Sequence, residues 1–204
     1  MPHQTCVIIG ASHAGTQLAL SLRQGGWEGR IVLAGDEPVK PYQRPPLSKD
    51  VLSGAKTAEQ IPIRPASVLE NAGIELLLGR RVESIDREGQ ILYFDDGKSR
   101  AYDKLALTLG AYPSTIRLTG SDKHGVHYLR KLSDVDQIRP FVGIGKSAVI
   151  VGGGYIGLEA GAVLRQLGMD VTVLEALPRV MQRVTAPVVS GFYERIHREE
   201  GLEI

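Results

Sequence analysis

The chain repeats itself once. Residues 6–35 read CVIIGASHAGTQLALSLRQGGWEGRIVLAG, and residues 148–175 read AVIVGGGYIGLEAGAVLRQLGMDVTVLE. Each passage runs from a short apolar strand through a glycine-rich turn into an amphipathic helix. Each then stops at glycine (Gly25–Gly26 in one, Gly168 in the other) and enters a second apolar strand. That order is βαβ, and strands apolar on both faces belong in a parallel sheet covered on both sides. The glycine stops fall where helix C-caps are expected. The fold class that follows is α/β, with two Rossmann-like units in series.

The turns carry the chemistry. Gly10-Ala-Ser12-His-Ala-Gly15 is a variant of the G-x-G-x-x-G pattern, with Ser12 in the middle glycine's place. Gly152-Gly-Gly154-Tyr-Ile-Gly157 matches the pattern in full. In such a loop the first glycine makes the tight turn and the second lets the backbone approach a pyrophosphate. The third lets the helix pack against the strand. The pyrophosphate then rests on unpaired N–H groups at the helix N-terminus. An acidic residue at the end of the next strand holds a ribose. Glu175 stands there in the second unit, and Asp36 and Glu37 stand just past the corresponding place in the first. A carboxylate at that position accepts two ribose hydroxyls and repels a 2′-phosphate, which favours NADH over NADPH. Arg179 and Arg183, close behind Glu175, could soften that preference, or serve as solvated surface charges.

Between the two passages the pattern changes. Pro41 to Pro46 reads as a loop, and Ser48 as the cap of a short helix reaching Leu52. Thr57 and Gln60 have capping-box spacing. Residues 66–71 read as a short helix and 74–78 as a strand. Residues 82–86 and 90–94 read as antiparallel strands, 105–109 as a buried strand, and Ser133 to about Pro140 as a helix. A linker at 141–146 puts the domain boundary between 143 and 144. Past it, a helix from Pro187 to Glu200 leads into Leu202–Ile204, which reads as the start of another strand, so the second unit looks incomplete.

Composition narrows the function. Of 204 residues, 43% are apolar, enough for a buried core. The formal net charge of +1 gives no pull toward nucleic acid or an anionic membrane. One cysteine, Cys6, excludes an intrachain disulfide or a cysteine-based metal site, so no metal centre is expected. It reads as a core filler of the first strand. No targeting segment and no run of ~20 apolar residues is seen, which points to the cytoplasm.

With both motifs in place, the chain resembles the ferredoxin-reductase branch of the FAD-dependent pyridine nucleotide reductases. The likeness runs over nearly the whole length. It is specific at IIGASHAG, at RPPLSK (Arg44 to Lys49), at GGGYIGLE (Gly152 to Glu159) and at RVTAPVVSGFYE (Arg183 to Glu194). The resemblance implies a Rossmann-like FAD-binding domain with an antiparallel β-meander insert over residues 1–143, then an incomplete Rossmann NAD-binding domain over 144–204. It implies that NADH reduces the flavin, which passes electrons to a [2Fe–2S] ferredoxin or a rubredoxin. The remainder of such an enzyme lies beyond residue 204.

By position, the resemblance assigns Gly10, Ala14 and Gly15 to the FAD pyrophosphate and Asp36 to its ribose. Arg44, Val82 and Arg130 join the FAD contacts, and Lys49 lies by the isoalloxazine ring. Gly152, Gly154, Ile156 and Gly157 meet the NAD pyrophosphate, Glu175 its ribose, and Glu159 the nicotinamide pocket. Lys49 and Glu159, the catalytic candidates, are expected to form an ion pair. Three features depart from the pattern. Thr108-Leu109-Gly110 replaces the usual Ala-Thr-Gly, Tyr112 stands where an arginine is usual, and the Cys-x4-Cys pair of the disulfide-using branch is absent. Two readings stay open: a reductase, or a nucleotide-binding fragment with no turnover of its own.

Overall fold

The structure, a computed structural model, describes residues 4–204. The chain divides into two units, one of residues 1–43 and 58–112, the other of residues 44–57 and 113–204.

The first unit is built on the first βαβ passage. β1 (Thr5–Ile9) leads into α1 (His13–Gln24) and returns as β2 (Arg30–Gly35); α2 (Ala66–Asn71) precedes β3 (Ile74–Leu78). Then come β4 (Val82–Asp86), β5 (Ile91–Phe94), β6 (Ser99–Ala101) and β7 (Lys104–Leu107). Strands β3-β2-β1-β7 form a four-stranded sheet, all its pairs parallel, while β4-β5-β6 form an antiparallel meander. Alternation along β1 and β2 decides what each face meets. Cys6, Ile8, Ile31 and Leu33 pack against Ala19 and Leu20 of α1 and Leu69 of α2. Val7, Ile9 and Val32 pack on the other side against Leu92, Phe94 and Tyr102 of the meander. The central strands are therefore buried on both faces, which is why they contain almost no polar residue.

The second unit holds a 3-10 turn (Pro45–Ser48), α3 (Leu132–Ile138), β8 (Ser147–Val151), α4 (Tyr155–Gln166), β9 (Asp170–Leu174) and α5 (Pro187–Glu199). β8 and β9 are parallel. Gly157 and Gly161 bring α4 onto them, since a Cβ at either would touch the Ile150 side chain. Glu203 bridges Thr172 in parallel sense, as the expected strand start requires. Two arginines tie residues 44–57 into this unit. Arg44 donates to the Arg130 carbonyl (2.8 Å) and Arg139 to that of Val51 (2.7 Å).

Three sequence expectations are corrected. Ser48 does not cap a helix to Leu52. The 3-10 turn ends at Ser48 and turns follow, because Pro45 and Pro46 open it and the Ser48 hydroxyl is engaged elsewhere. Residues 41–46 are not all loop, since those two prolines sit in the turn, where a preset φ and a missing N–H cost nothing. The strand expected at 105–109 lies at 104–107, leaving Leu109 exposed.

Candidate active site

The two glycine loops have nearly the same geometry. Gly10 has φ +115° and Gly152 φ +111°, values open to glycine and few other residues. A Cβ on Gly15 would stand 2.0 Å from the Gly10 carbonyl oxygen, and one on Gly157 2.1 Å from that of Gly152. These glycines are dictated by the close return of helix onto strand. The middle position is different. Ser12 has φ −134° and Gly154 φ −84°, both extended and accessible to any residue. The serine therefore breaks the written pattern without breaking the turn. Neither residue caps its helix with a side chain.

That geometry fits a dinucleotide. The first helical bonds at these ends are Thr16 N–H to Ser12 and Leu158 N–H to Gly154. The N–H groups of residues 13–15 and 155–157 therefore have no partner within their own helices, as at an anion-binding helix start. A Cβ on Gly152 or Gly154 would meet nothing within 4 Å, so open space faces the second loop.

Asp36 directly follows β2 and Glu175 directly follows β9, the places where the sequence pattern expects a ribose-binding carboxylate. Asp36 is exposed. Glu175 accepts the Gly153 N–H through one oxygen (2.9 Å) and the Leu177 N–H through the other (2.9 Å). Its carboxylate is thus oriented by the glycine loop itself, with lone pairs to spare. Arg179 is half-buried and tied into its own loop. Its guanidinium donates to the Thr185 carbonyl, the Gln182 carbonyl and the buried Ser190 hydroxyl. Arg183 is exposed. Val82 pairs with Phe94 and packs beside the meander core, so its side chain is a packing group. Arg130 gives its backbone N–H to Asp134, which also accepts from Lys131 at the start of α3 (2.7 Å each). Ala14 lies exposed in the first turn of α1 and Ile156, half exposed, in that of α4.

Lys49 and Glu159, 110 positions apart, meet as expected: Nζ lies 2.6 Å from Oε2. The side chains are 44% and 33% exposed, so the pair sits at a partly wet surface. There its worth to stability is under about 1 kcal/mol, not the ~3–5 kcal/mol of a buried pair that loses one partner. Its value is chemical placement: the second unit sets a cation against an anion on α4, one residue past its first turn.

Sequence reasoning gave two site groups other roles. Ser48, read as a helix cap, donates to Glu159 Oε2 at 2.6 Å. Thr108, noted only as a departure, shares its one hydroxyl proton between the Ile9 and Gly10 carbonyls (2.9 and 3.0 Å) and so braces the first glycine turn. A hydroxyl beside a glycine turn was the available signal for Thr108. Nothing in sequence spacing points Ser48 at Glu159. Cys6 is buried, and burial pushes its thiol up from the ordinary range, away from a nucleophile's thiolate.

Comparison with known proteins now decides the family. The model of the pyridine nucleotide-disulphide oxidoreductase family matches residues 4–204. The chain belongs to this family. A ferredoxin–NAD(P)(+) reductase of Sphingomonas sp is 43% identical over 202 residues, covering 99% of this chain and 49% of that protein. A rubredoxin–NAD(+) reductase of Pseudomonas putida is 40% identical, covering 96% of this chain and 51% of that protein. Among solved structures, the covalent putidaredoxin reductase–putidaredoxin complex matches with a TM-score of 0.90 at 40% identity, over 100% of this chain and 50% of that one. The chain spans about half the length of the curated relatives it matches. With Cys6 its sole cysteine, this member holds no disulphide pair within residues 1–204. No helix among the described residues is long and apolar enough to cross a membrane, and no cluster of possible metal ligands is found among them.

Proposed function

We propose that these residues are the nucleotide-binding part of an FAD-dependent oxidoreductase that passes electrons from NADH to a small iron–sulfur protein or a rubredoxin. The observation that carries the reading is the Lys49–Glu159 ion pair on α4, the helix that opens from the second glycine loop. The names of the relatives, reductases of ferredoxin and rubredoxin, support the acceptor class. We assign residues 1–143 to the FAD domain and 144–204 to the NAD domain. The reaction sits in the cytoplasm, and neither nucleic acid nor membrane is a partner.

In this reading, Gly10, Ala14, Gly15 and Asp36 hold the FAD pyrophosphate and ribose, and Val82 offers its backbone. Arg44, Lys49 and Arg130 join the FAD contacts. Gly152, Gly154, Ile156 and Gly157 hold the NAD pyrophosphate and Glu175 the ribose. Bound FAD supplies a hydride acceptor that can release electrons singly. The protein supplies placement and charge. The Lys49 ammonium favours negative charge developing beside it. Glu159, the fifth residue of α4, holds that ammonium in place. Glu175 accepts two ribose hydroxyls and repels a 2′-phosphate, so NADH is the donor.

The second reading is a chain that binds nucleotides and turns nothing over. Visible absorbance and an NADH–ferricyanide assay on the 204-residue chain separate the two. Flavin bands with turnover support the reductase. Bands without turnover support the binding fragment, and loss of both NADH binding and flavin bands removes both readings.

A further inference from the structure

Ser48 lies 5% exposed in a turn opened by two prolines, beside a lysine that could reach Glu159 unaided. Its Oγ is 2.6 Å from Glu159 Oε2 and 3.4 Å from the Pro45 carbonyl oxygen. A hydroxyl has one proton, and the shorter contact takes it. Lys49 Nζ is also 2.6 Å from that same Oε2, with a second bond to the Pro45 carbonyl (3.2 Å). Two donors from adjacent residues thus converge on a single carboxylate oxygen 111 positions from Ser48.

We infer that Ser48 is a positioning residue for hydride transfer, fixing the Glu159 carboxylate so that the Lys49 ammonium is held at one place. The inference rests on the reading that Lys49 and Glu159 work at the flavin. The physical need is plain. The terminal torsion of a glutamate is broad and two-fold, so a partly exposed carboxylate presents either oxygen. An ion pair this wet has little energy with which to orient itself. The turn removes that freedom. Pro45 and Pro46 fix φ, the Lys49 N–H closes on the Pro46 carbonyl (3.0 Å), and the hydroxyl and ammonium are offered to one oxygen from a short, stiff segment. The buried hydroxyl, unable to turn to water, pins that oxygen, and the ammonium follows it.

The test is a double-mutant cycle in the full-length polypeptide that carries this sequence: parent, Ser48→Ala, Glu159→Ala and the double variant. In the apoprotein, Ser48→Ala should lower the thermal midpoint of the parent and leave that of Glu159→Ala unchanged. In the FAD-loaded protein, stopped-flow reduction by NADH should slow by about 10-fold in Ser48→Ala, the scale of one lost charge-assisted hydrogen bond. The NADH dissociation constant should not move, and adding Ser48→Ala to Glu159→Ala should bring no further slowing. Equal losses in both backgrounds, or a parent-like rate in Ser48→Ala, overturn the positioning role alone. A parent protein whose flavin NADH does not reduce overturns the functional reading, and this inference with it.

Discussion

Gly154 and Gly157 lie three residues apart in one motif, yet alanine should do opposite things at them. Gly157 is inside α4, where helix propensity alone would make alanine better by ~1 kcal/mol. The added methyl, however, would stand 2.1 Å from the Gly152 carbonyl oxygen and 3.3 Å from Ile150 Cγ2. A backbone oxygen cannot rotate aside, so helix and strand must part, at an overpacking cost of ~1–3 kcal/mol or more. The clash wins, and Gly157→Ala should lower the thermal midpoint by a few degrees, at ~2–4 °C per kcal/mol for a chain of this size. At Gly154 φ is −84° and nothing lies within 4 Å of the new methyl. Alanine is the poorer N-cap by ~0.5–1 kcal/mol, but it stiffens the unfolded chain by ~0.4–1 kcal/mol. The two nearly cancel, so Gly154→Ala should melt with the parent. The methyl instead enters the space assigned to the pyrophosphate and displaces it from the N–H groups of residues 155–157. Losing one charge-assisted bond, ~1.5–3 kcal/mol, weakens NADH binding by roughly 10- to 100-fold. Calorimetric titration with NADH beside a thermal melt reads both effects. A Gly154→Ala protein that binds NADH as tightly as the parent would refute the placement of the dinucleotide.

Three further outcomes are expected. In steady-state comparison of the full-length enzyme, kcat/KM should be higher with NADH than with NADPH, and the reverse order would end the role given to Glu175. Cys6→Ser should cost about 1–3 kcal/mol of stability for a buried hydroxyl and leave flavin reduction by NADH intact; a many-fold loss of rate in the folded variant would make the thiol a participant. Burial pushes the Glu75 carboxyl up, but hydrogen bonds and charge from Arg100 and Arg30 outweigh it and hold the group below the ordinary glutamate range. A carboxyl lowered in the folded state adds stability above its unfolded pKa and loses it as pH falls through the folded value. Glu75→Gln should therefore melt below the parent at neutral pH, and the two melting curves should converge in acid; a gap that persists there contradicts the pair's role.

Much of the fold was legible because its signals are local. Apolar runs broken by glycine gave β1, α1, β2 and their echoes β8, α4 and β9. The helix at 66–71 and the strands at 74–78 and 82–86 fall where propensity and turn residues put them. The errors fell where tertiary partners decide. Ser48 has the chemistry of a cap but spends its hydroxyl on Glu159. Ser12 breaks the glycine pattern on paper, while its extended backbone shows that the turn never required glycine there. The Lys49–Glu159 pair was reached through resemblance, since nothing in local spacing joins positions so far apart.

Whether hydride passes beside Lys49 is read most directly from the pre-steady-state rate of flavin reduction by NADH in a Lys49→Met variant of the full-length protein. Methionine keeps the length of the side chain and removes the charge. If the ammonium stabilises charge at the flavin, the variant should retain FAD and be reduced at least ~10-fold more slowly, the equivalent of ~1.4 kcal/mol. Reduction at the parent rate with FAD fully retained would contradict that role, even with the ion pair present.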